Sequence, residues 1–173
     1  MFATIYLPNF YLQAALRHQP ELRNQPVGLI DGEEAKAIIL QLNQTAENVG
    51  VRRGMTPSQG LARCLQLVIK TRLRAQEKLL DDLLLQFAFS LAPFVEATAP
   101  GVCTVQFTNN RNVLRNVEHV VGQLHDSQIE AQAGIALSPD ASLLAAHLAK
   151  PVLHVDDTKD FLAPLPLETL AIG

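Results

Sequence analysis

The chain has 173 residues, of which 48% are hydrophobic and 18% are charged, and its formal net charge at pH 7 is −3. This length predicts one domain, or one domain with a small insertion, with enough apolar residues for a real core. The acidic balance argues against a strongly basic nucleic-acid-binding surface over the whole chain and leaves room only for a local basic patch. The apolar runs are far shorter than the roughly 20 residues of a membrane helix, and the first residues lack the basic segment of a signal peptide.

The first half of the chain predicts short strands that alternate with short helices. An apolar strand, residues 2–7, leads through the aromatic pair Phe10-Tyr11 into a short helical run. Glycine and proline at the turns separate the elements that follow. These elements are three strands, at 26–30, 37–42 and 67–71, and two helices, at 44–49 and from residue 56 onward.

The second half predicts longer elements. Leucine and phenylalanine recur every three or four residues over 76–91, which indicates an amphipathic helix. A hairpin, a valine-rich helix, a strand and a third helix follow, at 94–98 with 102–107, 113–124, 131–137 and 138–150.

Together with the first strand, this order is a split βαβ arrangement with an antiparallel hairpin. The predicted fold class is therefore α+β, with a ferredoxin-like mixed sheet and helices on one face. Residues 13–75 form a small α/β domain inserted after the first strand.

Several short stretches occur in one consistent order along nearly the whole chain. They are Phe10-Tyr11, Pro20-Glu21-Leu22 with Gln25-Pro26-Val27, Asn43, Gly50-Val51-Arg52-Arg53-Gly54-Met55, Gly134-Ile135-Ala136 and Ala149-Lys150-Pro151. Their order and spacing resemble the catalytic core of Y-family translesion DNA polymerases, in which a split palm carries a small fingers domain. The resemblance implies a palm-like domain at 1–12 and 76–157, a fingers-like domain at 13–75 and the start of a truncated thumb at 158–173.

Two Leu-Pro pairs indicate one branch of that family. The opening strand ends in Leu7-Pro8, and Leu165-Pro166-Leu167-Glu168 occurs near residue 173. Both are typical of the catalytically inactive, polymerase-like bacterial mutasome protein of the ImuB type. Resemblance to this branch implies a role in the SOS response and in damage-induced mutagenesis.

The positions that align with the family's catalytic acids hold no acid here. Polymerases transfer phosphoryl groups with two metal ions held by carboxylates. The aligned positions, which we expect to be degenerate, are Tyr6, Pro8, Pro100, Gly101 and Val102. A tyrosine is neutral at pH 7 and a poor magnesium ligand, and the other four offer no side-chain oxygen. We therefore expect no catalytic residue, no bound metal, no cofactor and no enzyme activity.

The positions that face the triphosphate in the family also differ. A tyrosine and an arginine of the family's fingers align with Gln44 and Glu47, and a lysine of its palm aligns with Leu143. One unit-charge pair at ~4 Å is worth about 4 kcal/mol at an effective dielectric constant of 20, so a carboxylate in place of a guanidinium disfavours a triphosphate. We expect no nucleotide site. Tyr11 matches the residue that screens the sugar in the family, and we expect it to serve in packing.

Two small basic clusters are candidates for contact with DNA. They comprise Arg52 and Arg53, and Arg72 and Arg74. In the family the fingers lie over the templating base, so these side chains could meet the phosphate backbone. The alternative is that both clusters are solvated loops.

Two histidines and two aspartates near residue 150 raise the question of a metal site. They are His147, His154, Asp156 and Asp157, and no zinc-like pair spacing links them. We therefore predict surface or capping roles. The two cysteines of the chain also lack partner spacing and are predicted to be buried thiols.

The leading interpretation is a non-catalytic, polymerase-like scaffold or adaptor in error-prone DNA repair. The resemblance implies protein partners, namely a second error-prone polymerase and a RecA-like accessory protein, with a sliding clamp bound only through regions C-terminal to residue 173. It also implies weak DNA binding, no membrane association, and a bacterial, cytoplasmic, nucleoid-associated location. Two alternatives stay open: an active translesion polymerase with displaced metal ligands, and an unrelated α/β ligand-binding domain.

Overall fold

The computed structural model describes residues 1–32, 37–166 and 169. The chain divides into two compact units, of which the first comprises Met1–Pro8 and Asp81–Gly173 and the second comprises Asn9–Leu80. Each unit contains its own β-sheet. The assignment of parts of the chain to palm-like, fingers-like and thumb-like domains stays a prediction.

Strands and helices alternate along most of the chain. The strands are β1 (Phe2–Tyr6), β2 (Val27–Ile30), β3 (Ile39–Leu42), β4 (Val68–Thr71), β5 (Phe94–Ala99), β6 (Val102–Gln106), β7 (Gln132–Ala136) and β8 (Val152–His154). The helices are α1 (Phe10–Leu16), α2 (Gln44–Asn48), α3 (Pro57–Arg63), α4 (Arg74–Leu91), α5 (Val113–Asp126), α6 (Pro139–Leu148) and α7 (Thr158–Leu162).

The sheet of the first unit has five strands in the order β5-β6-β1-β7-β8. The central strand, β1, pairs antiparallel with β6 and with β7, and β7 pairs parallel with β8. The register places Tyr6, the last residue of β1, opposite Val102 on one side and Gln132 on the other. The C-terminal end of β1 therefore lies beside the turn that joins β5 to β6.

Both faces of β1 are buried. Ala3 and Ile5 are fully buried on one face, and Thr4 is fully buried on the other, because successive side chains of a strand point to opposite faces. The hydroxyl of Thr4 lies 2.8 Å from the hydroxyl of Ser142 on α6. Helix α6 therefore covers the face to which Thr4 and Tyr6 belong.

Helix α6 lies against β7 with almost no space between the two backbones. A Cβ atom at Gly134 of β7 would overlap the backbone nitrogen of Ala146 and the carbonyl oxygen of Ser142. Glycine at this position therefore allows the close approach, and any side chain would push the helix away from the sheet.

The sheet of the second unit has three strands in the order β3-β2-β4. Strand β2 is antiparallel to β3 and parallel to β4. Asn43 joins the start of β2 to the start of α2, because its Oδ1 accepts the N–H of Val27 and the N–H of Ala46, both at 3.0 Å. Its amide nitrogen donates to the carbonyl of Gln25 at 2.6 Å. One side chain thus satisfies the backbone of three segments.

The predicted α+β class is confirmed. Every strand and helix predicted from the sequence has an observed counterpart whose ends differ by no more than two residues. Among the described residues, three observed elements were not predicted, namely a short 3-10 helix at Pro20–Leu22, β8 and α7, because three to five residues are too few to show a hydrophobic period. Part of the predicted thumb start, namely residues 167–168 and 170–173, lies outside the described residues. Within the part of the chain that the structure describes, no helix is long and apolar enough to cross a membrane.

Candidate functional site

The end of β1 and the β5–β6 turn meet at one corner of the five-stranded sheet. The backbone N–H of Leu7 donates to the carbonyl of Gly101 at 2.9 Å, and the N–H of Gly101 donates to Oδ1 of Asp81 on α4 at 2.8 Å. Gly101 has a φ of 73°, which glycine adopts without a steric penalty. The turn is thereby fixed both to β1 and to α4. This corner holds Tyr6, Pro8, Pro100, Gly101 and Val102, the five positions for which the sequence predicted degenerate catalytic acids.

The ring of Tyr6 lies against a histidine. The two ring centroids of Tyr6 and His147 are 4.1 Å apart, and the ring planes are tilted by 38°. His147 is half-buried, and burial lowers the pKa of its imidazole below the ordinary value because the charged form loses hydration. At neutral pH the pair is therefore an uncharged aromatic contact at the end of β1.

The corner does not offer the ligands that magnesium prefers, which are carboxylate oxygens. None of the five aligned positions carries one. Asp81 touches the corner, but one of its oxygens accepts the N–H of Gly101. Among residues 1–32, 37–166 and 169, no group of three or more His, Cys, Asp or Glu side chains could hold a metal ion. The described residues therefore do not fit the two-metal centre that the resemblance implies, and no role of a metal ion is assigned to them.

A chain of hydroxyl groups lies beside the corner. Thr4 bonds to Thr104 on β6 at 3.1 Å and to Ser142 on α6 at 2.8 Å, and Thr104 bonds to Thr98 on β5 at 3.0 Å. Ser142 donates in turn to the carbonyl of Pro139 at 2.7 Å. These bonds satisfy polar groups in the core and join three strands to one helix. The sequence gives no sign of this chain, because its members come from four separate elements.

Arg72, one of the predicted DNA contacts, is held by three side chains of the second unit. Its Nε and one terminal nitrogen donate to the two carboxylate oxygens of Glu77 at 2.8 and 2.7 Å, and its other terminal nitrogen donates to Asp31 at 3.2 Å. Its guanidinium carbon lies 3.6 Å from the ring centroid of Tyr11. Hydrogen bonding to Glu77 raises the pKa of Arg72 above its ordinary value. The Arg72 side chain, only 11% exposed, thus serves an internal ion pair and supports the Tyr11 ring.

The other three candidate arginines remain exposed. Arg74 pairs with Asp31 at 2.8 Å while 66% of its side chain is exposed. Arg53 donates to the side-chain oxygen of Asn9 at 2.8 Å. Arg52 donates to two backbone carbonyls at the end of α2, at 2.6 and 2.8 Å. Contact of these side chains with DNA phosphates stays a prediction.

The residues aligned with the family's triphosphate contacts belong to different units. Gln44 and Glu47 lie one turn apart on α2, where Gln44 is exposed and donates to Asn48 at 3.0 Å. Leu143 is half-buried on α6 of the first unit. Tyr11 packs against the apolar cluster of α1 and β2, with its ring 5.3 Å from that of Phe10. The predicted absence of a nucleotide site is untested and stays a prediction.

The histidines and aspartates near residue 150 are dispersed among separate contacts. Asp157 caps α7, since its Oδ1 accepts the N–H of Lys159 at 2.7 Å and of Asp160 at 3.1 Å. His154 lies 3.6 Å from a carboxylate oxygen of Asp156. His147 lies against Tyr6, as described above. Capping is therefore an observed role of Asp157, as the sequence predicted.

A single family model matches the residues that form the corner, the β5–β6 hairpin and most of α6. A family model described as "IMS: impB/mucB/samB family" matches residues 5–147. The chain belongs to the impB/mucB/samB family. The matched range begins within β1 and ends at His147, so it includes every position of the corner.

Relatives of this impB/mucB/samB-family chain are named DNA polymerase IV. The protein from Desulfatibacillum aliphaticivorans is 26% identical over 171 residues, which are 93% of this chain and 43% of that protein. The protein from Bacteroides fragilis is 21% identical over 169 residues, which are 92% of this chain and 46% of that protein. The chain therefore spans about half the length of the curated relatives it matches.

Solved structures of Y-family polymerases share the fold. The crystal structure of DinB from Sulfolobus solfataricus matches 97% of this chain and 52% of its own with a TM-score of 0.84 and 15% identity. The insertion ternary complex of Dbh DNA polymerase matches 99% of this chain and 54% of its own with a TM-score of 0.86 and 16% identity. The predicted Y-family polymerase fold is confirmed.

One prediction from the sequence is wrong. The missing acids led to the expectation that this chain is not an enzyme, but its relatives are named as a DNA polymerase, which is an enzyme. The lack of acids at five positions of one corner does not establish that enzyme activity is absent. The chain also spans only about half the length of these relatives.

Proposed function

We propose that this impB/mucB/samB-family chain supplies the palm-like and fingers-like part of a protein that works in translesion DNA synthesis. The observation that supports the proposal most strongly is the family match over residues 5–147, together with relatives named DNA polymerase IV. Because the chain spans about half the length of those relatives, the proposed activity is that of a longer protein.

The physical character of the corner suits a surface that places DNA. The turn is fixed by the hydrogen bonds of Gly101, and the end of β1 by the contact of Tyr6 with His147. A cluster of carboxylates without metal ions would repel DNA phosphates, whereas the aligned positions here are uncharged. The exposed side chains of Arg53 and Arg74 provide positive charge in the second unit. We infer that these arginines contact the DNA backbone in the full-length protein.

Binding to a primer–template junction tests this proposal. We expect the full-length protein to bind a fluorescently labelled junction more tightly than a blunt duplex, with an affinity that falls as salt increases. The double variant Arg53→Ala, Arg74→Ala should weaken binding to all sequences and reduce the salt slope by about two. Arg115→Ala on α5 serves as the control for a lost surface charge. Equal binding to junction and blunt duplex would contradict the proposal.

A second, compatible role is that of an ImuB-type adaptor in error-prone repair. The Leu7-Pro8 pair at the end of β1 and the lack of a carboxylate at Tyr6, Pro8, Pro100, Gly101 and Val102 favour it. In this role the protein would hold a second error-prone polymerase and a RecA-like accessory protein in the bacterial cytoplasm, near the nucleoid. A sliding clamp would bind regions C-terminal to residue 173.

Primer extension distinguishes the two roles. The full-length protein is assayed alone and together with the second polymerase, the RecA-like protein and the clamp. Templated extension by the full-length protein alone would support a polymerase role, with metal ligands at positions other than the five of the corner. The adaptor role would be supported if extension occurred only in the presence of the second polymerase and the amount of product rose when this protein was added. If this protein produced no extension in the first reaction and no increase in the second, both roles would be wrong.

A further inference from the structure

The first unit contains a cavity between α6 and α7. Its volume is about 370 Å³, within the range of roughly 300–1,000 Å³ that is usual for ligand sites. The lining is mainly apolar and includes Ser138, Asp140, Leu143, Leu144, Thr158 and Leu162. Neither the hydrogen bonds of the corner nor the Arg72 network involves this cavity.

The wall formed by α7 is held in place by its own contacts. Phe161 packs against the small apolar cluster that contains Ala141, Ala145 and Val155. At its N-terminus, α7 is capped by Asp157. Phe161 therefore anchors one side of the helix while Leu162, the next residue, lines the cavity. The cavity is thus formed by two packed helices and by Ser138, the N-cap residue that precedes α6.

Apolar side chains are exposed around the cavity. Leu162 is 37% exposed, and Leu137, which directly precedes the lining residue Ser138, is 61% exposed. Leu143 is half-buried where the resemblance to polymerases would place a lysine. An opening lined by leucines suits an apolar side chain of a partner better than a sugar or a phosphate.

The charge around the cavity is negative. Among the described residues that line it, Asp140 alone carries a charge, and Asp157 caps α7 directly before the lining residue Thr158. The carboxylate of Asp140 repels phosphate groups and attracts lysine and arginine. Charge complementarity therefore favours a basic protein segment over a nucleotide or DNA.

We propose that this cavity is the docking site for a partner protein whose amphipathic helix inserts a leucine or phenylalanine between α6 and α7. A lysine or arginine residue beside that anchor pairs with Asp140. Recognition of this kind, in which a helix places apolar anchors into a groove, is common in protein complexes. The inference rests on the proposed adaptor role, for which it assigns a surface.

A synthetic peptide tests the site directly. The probe is a fluorescein-labelled helical peptide of about 15 residues with leucine anchors four residues apart and arginines beside them. Fluorescence anisotropy with the full-length protein should show micromolar binding at physiological salt. Versions with alanine anchors, or with glutamate in place of arginine, should bind at least about tenfold more weakly.

Variants of the protein locate the site. Asp140→Lys should reverse the preference, so that the glutamate peptide binds more tightly than the arginine peptide. Leu143→Trp, which fills the cavity, should weaken binding of the leucine peptide by at least about tenfold. Glu118→Lys, on the exposed side of α5, provides a matched charge reversal and should leave the preference unchanged. Leucine methyl NMR on the unmodified protein should show the largest shifts at Leu143, Leu144 and Leu162.

Several outcomes would overturn the docking site. An unchanged preference in the Asp140→Lys variant would do so, as would methyl shifts elsewhere. Displacement of the peptide by inorganic triphosphate or by a DNA oligonucleotide would identify a phosphate site instead. Primer extension with the second polymerase is measured in parallel on the same protein. An increase in extension without peptide binding would reject the docking site alone, whereas no increase in extension with the unmodified protein would reject the proposed adaptor role.

Discussion

Replacement of Arg72 by methionine tests the ion-pair network of the second unit. Methionine retains an apolar stem but removes the guanidinium, so both oxygens of Glu77 lose their hydrogen bonds of 2.8 and 2.7 Å. The Glu77 side chain is only 9% exposed, and water cannot fully replace the lost donors. Asp31, whose side chain is 43% exposed, can be hydrated instead. The main effect of the substitution is therefore an unpaired, buried carboxylate.

The expected loss in the free energy of unfolding is about 3 kcal/mol. Removing one partner of a buried ion pair usually costs about 3–5 kcal/mol. We expect the lower end because a terminal nitrogen of Arg74 lies 3.7 Å from Glu77 and can compensate in part. The contact between Arg72 and the Tyr11 ring at 3.6 Å is also lost.

Tyrosine fluorescence can follow the unfolding of this unit. The chain has two tyrosines and no tryptophan, and Tyr6→Phe leaves Tyr11, the neighbour of Arg72, as the single tyrosine. Urea unfolding is measured in that background for Arg72→Met and for Arg74→Ala. Arg74 is largely exposed, so its ion pair should contribute no more than about 1 kcal/mol.

A double variant provides the decisive control. Arg72→Met with Glu77→Leu replaces the buried pair by apolar side chains, which is often neutral or stabilising, and should recover most of the lost stability. If Arg72→Met cost no more than Arg74→Ala, or if the double variant were as unstable as the single one, the description of a buried pair would be refuted.

Four further predictions concern single positions. Asn43→Ala should lower the free energy of unfolding by about 3 kcal/mol in urea titrations, since a helix cap is lost and backbone groups are left unpaired; a loss below about 1 kcal/mol would contradict this. Gly134→Ala should abolish cooperative thermal unfolding because the added Cβ overlaps α6. In the control Gly122→Ala on α5, the added Cβ meets no atom within 4 Å, so this variant should be neutral or stabilising. Equal behaviour of the two variants would disprove the close packing of α6 on β7. Burial lowers the pKa of His147, so the unfolded state binds the proton more readily and the free energy of unfolding should fall as the pH drops below about 6.5. His147→Phe should make the urea midpoint less dependent on pH in this range. An unaltered pH profile in that variant would count against the assignment. Burial raises the pKa of Cys103 to about 12, so its thiol should react with a disulfide reagent only after unfolding, and rapid reaction in the native protein would be inconsistent with this.

The regular elements could be predicted from the sequence because their patterns are long. Helices α4 and α5 repeat apolar residues over several turns, and Pro93 marks the end of the first. Strand β8 and helix α7 have no such repeat, since pairing with β7 and packing of Phe161 determine them. Their positions depend on tertiary contacts that the sequence does not display.

The contacts of the candidate site were less predictable than its position. Alignment placed Tyr6 and Gly101 at the corner, but the contacts with His147 and Asp81 join residues far apart in the chain. The basic character of Arg72 suggested DNA contact, whereas the structure supplies two carboxylates from other segments. The residue type determines which kinds of contact a side chain can make, and the tertiary structure determines which partner lies within reach.

The error about enzyme activity has a similar origin. The five positions without acids all lie at one corner of the first unit. The relatives named DNA polymerase IV are about twice as long as this chain, so the expectation rested on a small part of such a protein. Catalysis by a polymerase depends on positioning and electrostatics contributed by many groups. A local difference in sequence is therefore insufficient to assign or to exclude activity.

DNA synthesis past a lesion tests the central claim most directly. A primer is annealed to a template that carries an abasic site, and extension past that site is measured with the full-length protein alone and with the second error-prone polymerase, the RecA-like protein and the clamp. Each reaction is repeated without the full-length protein. A role in translesion synthesis predicts that adding the protein produces or increases bypass product in at least one of the two reactions. Unchanged bypass in both would contradict it.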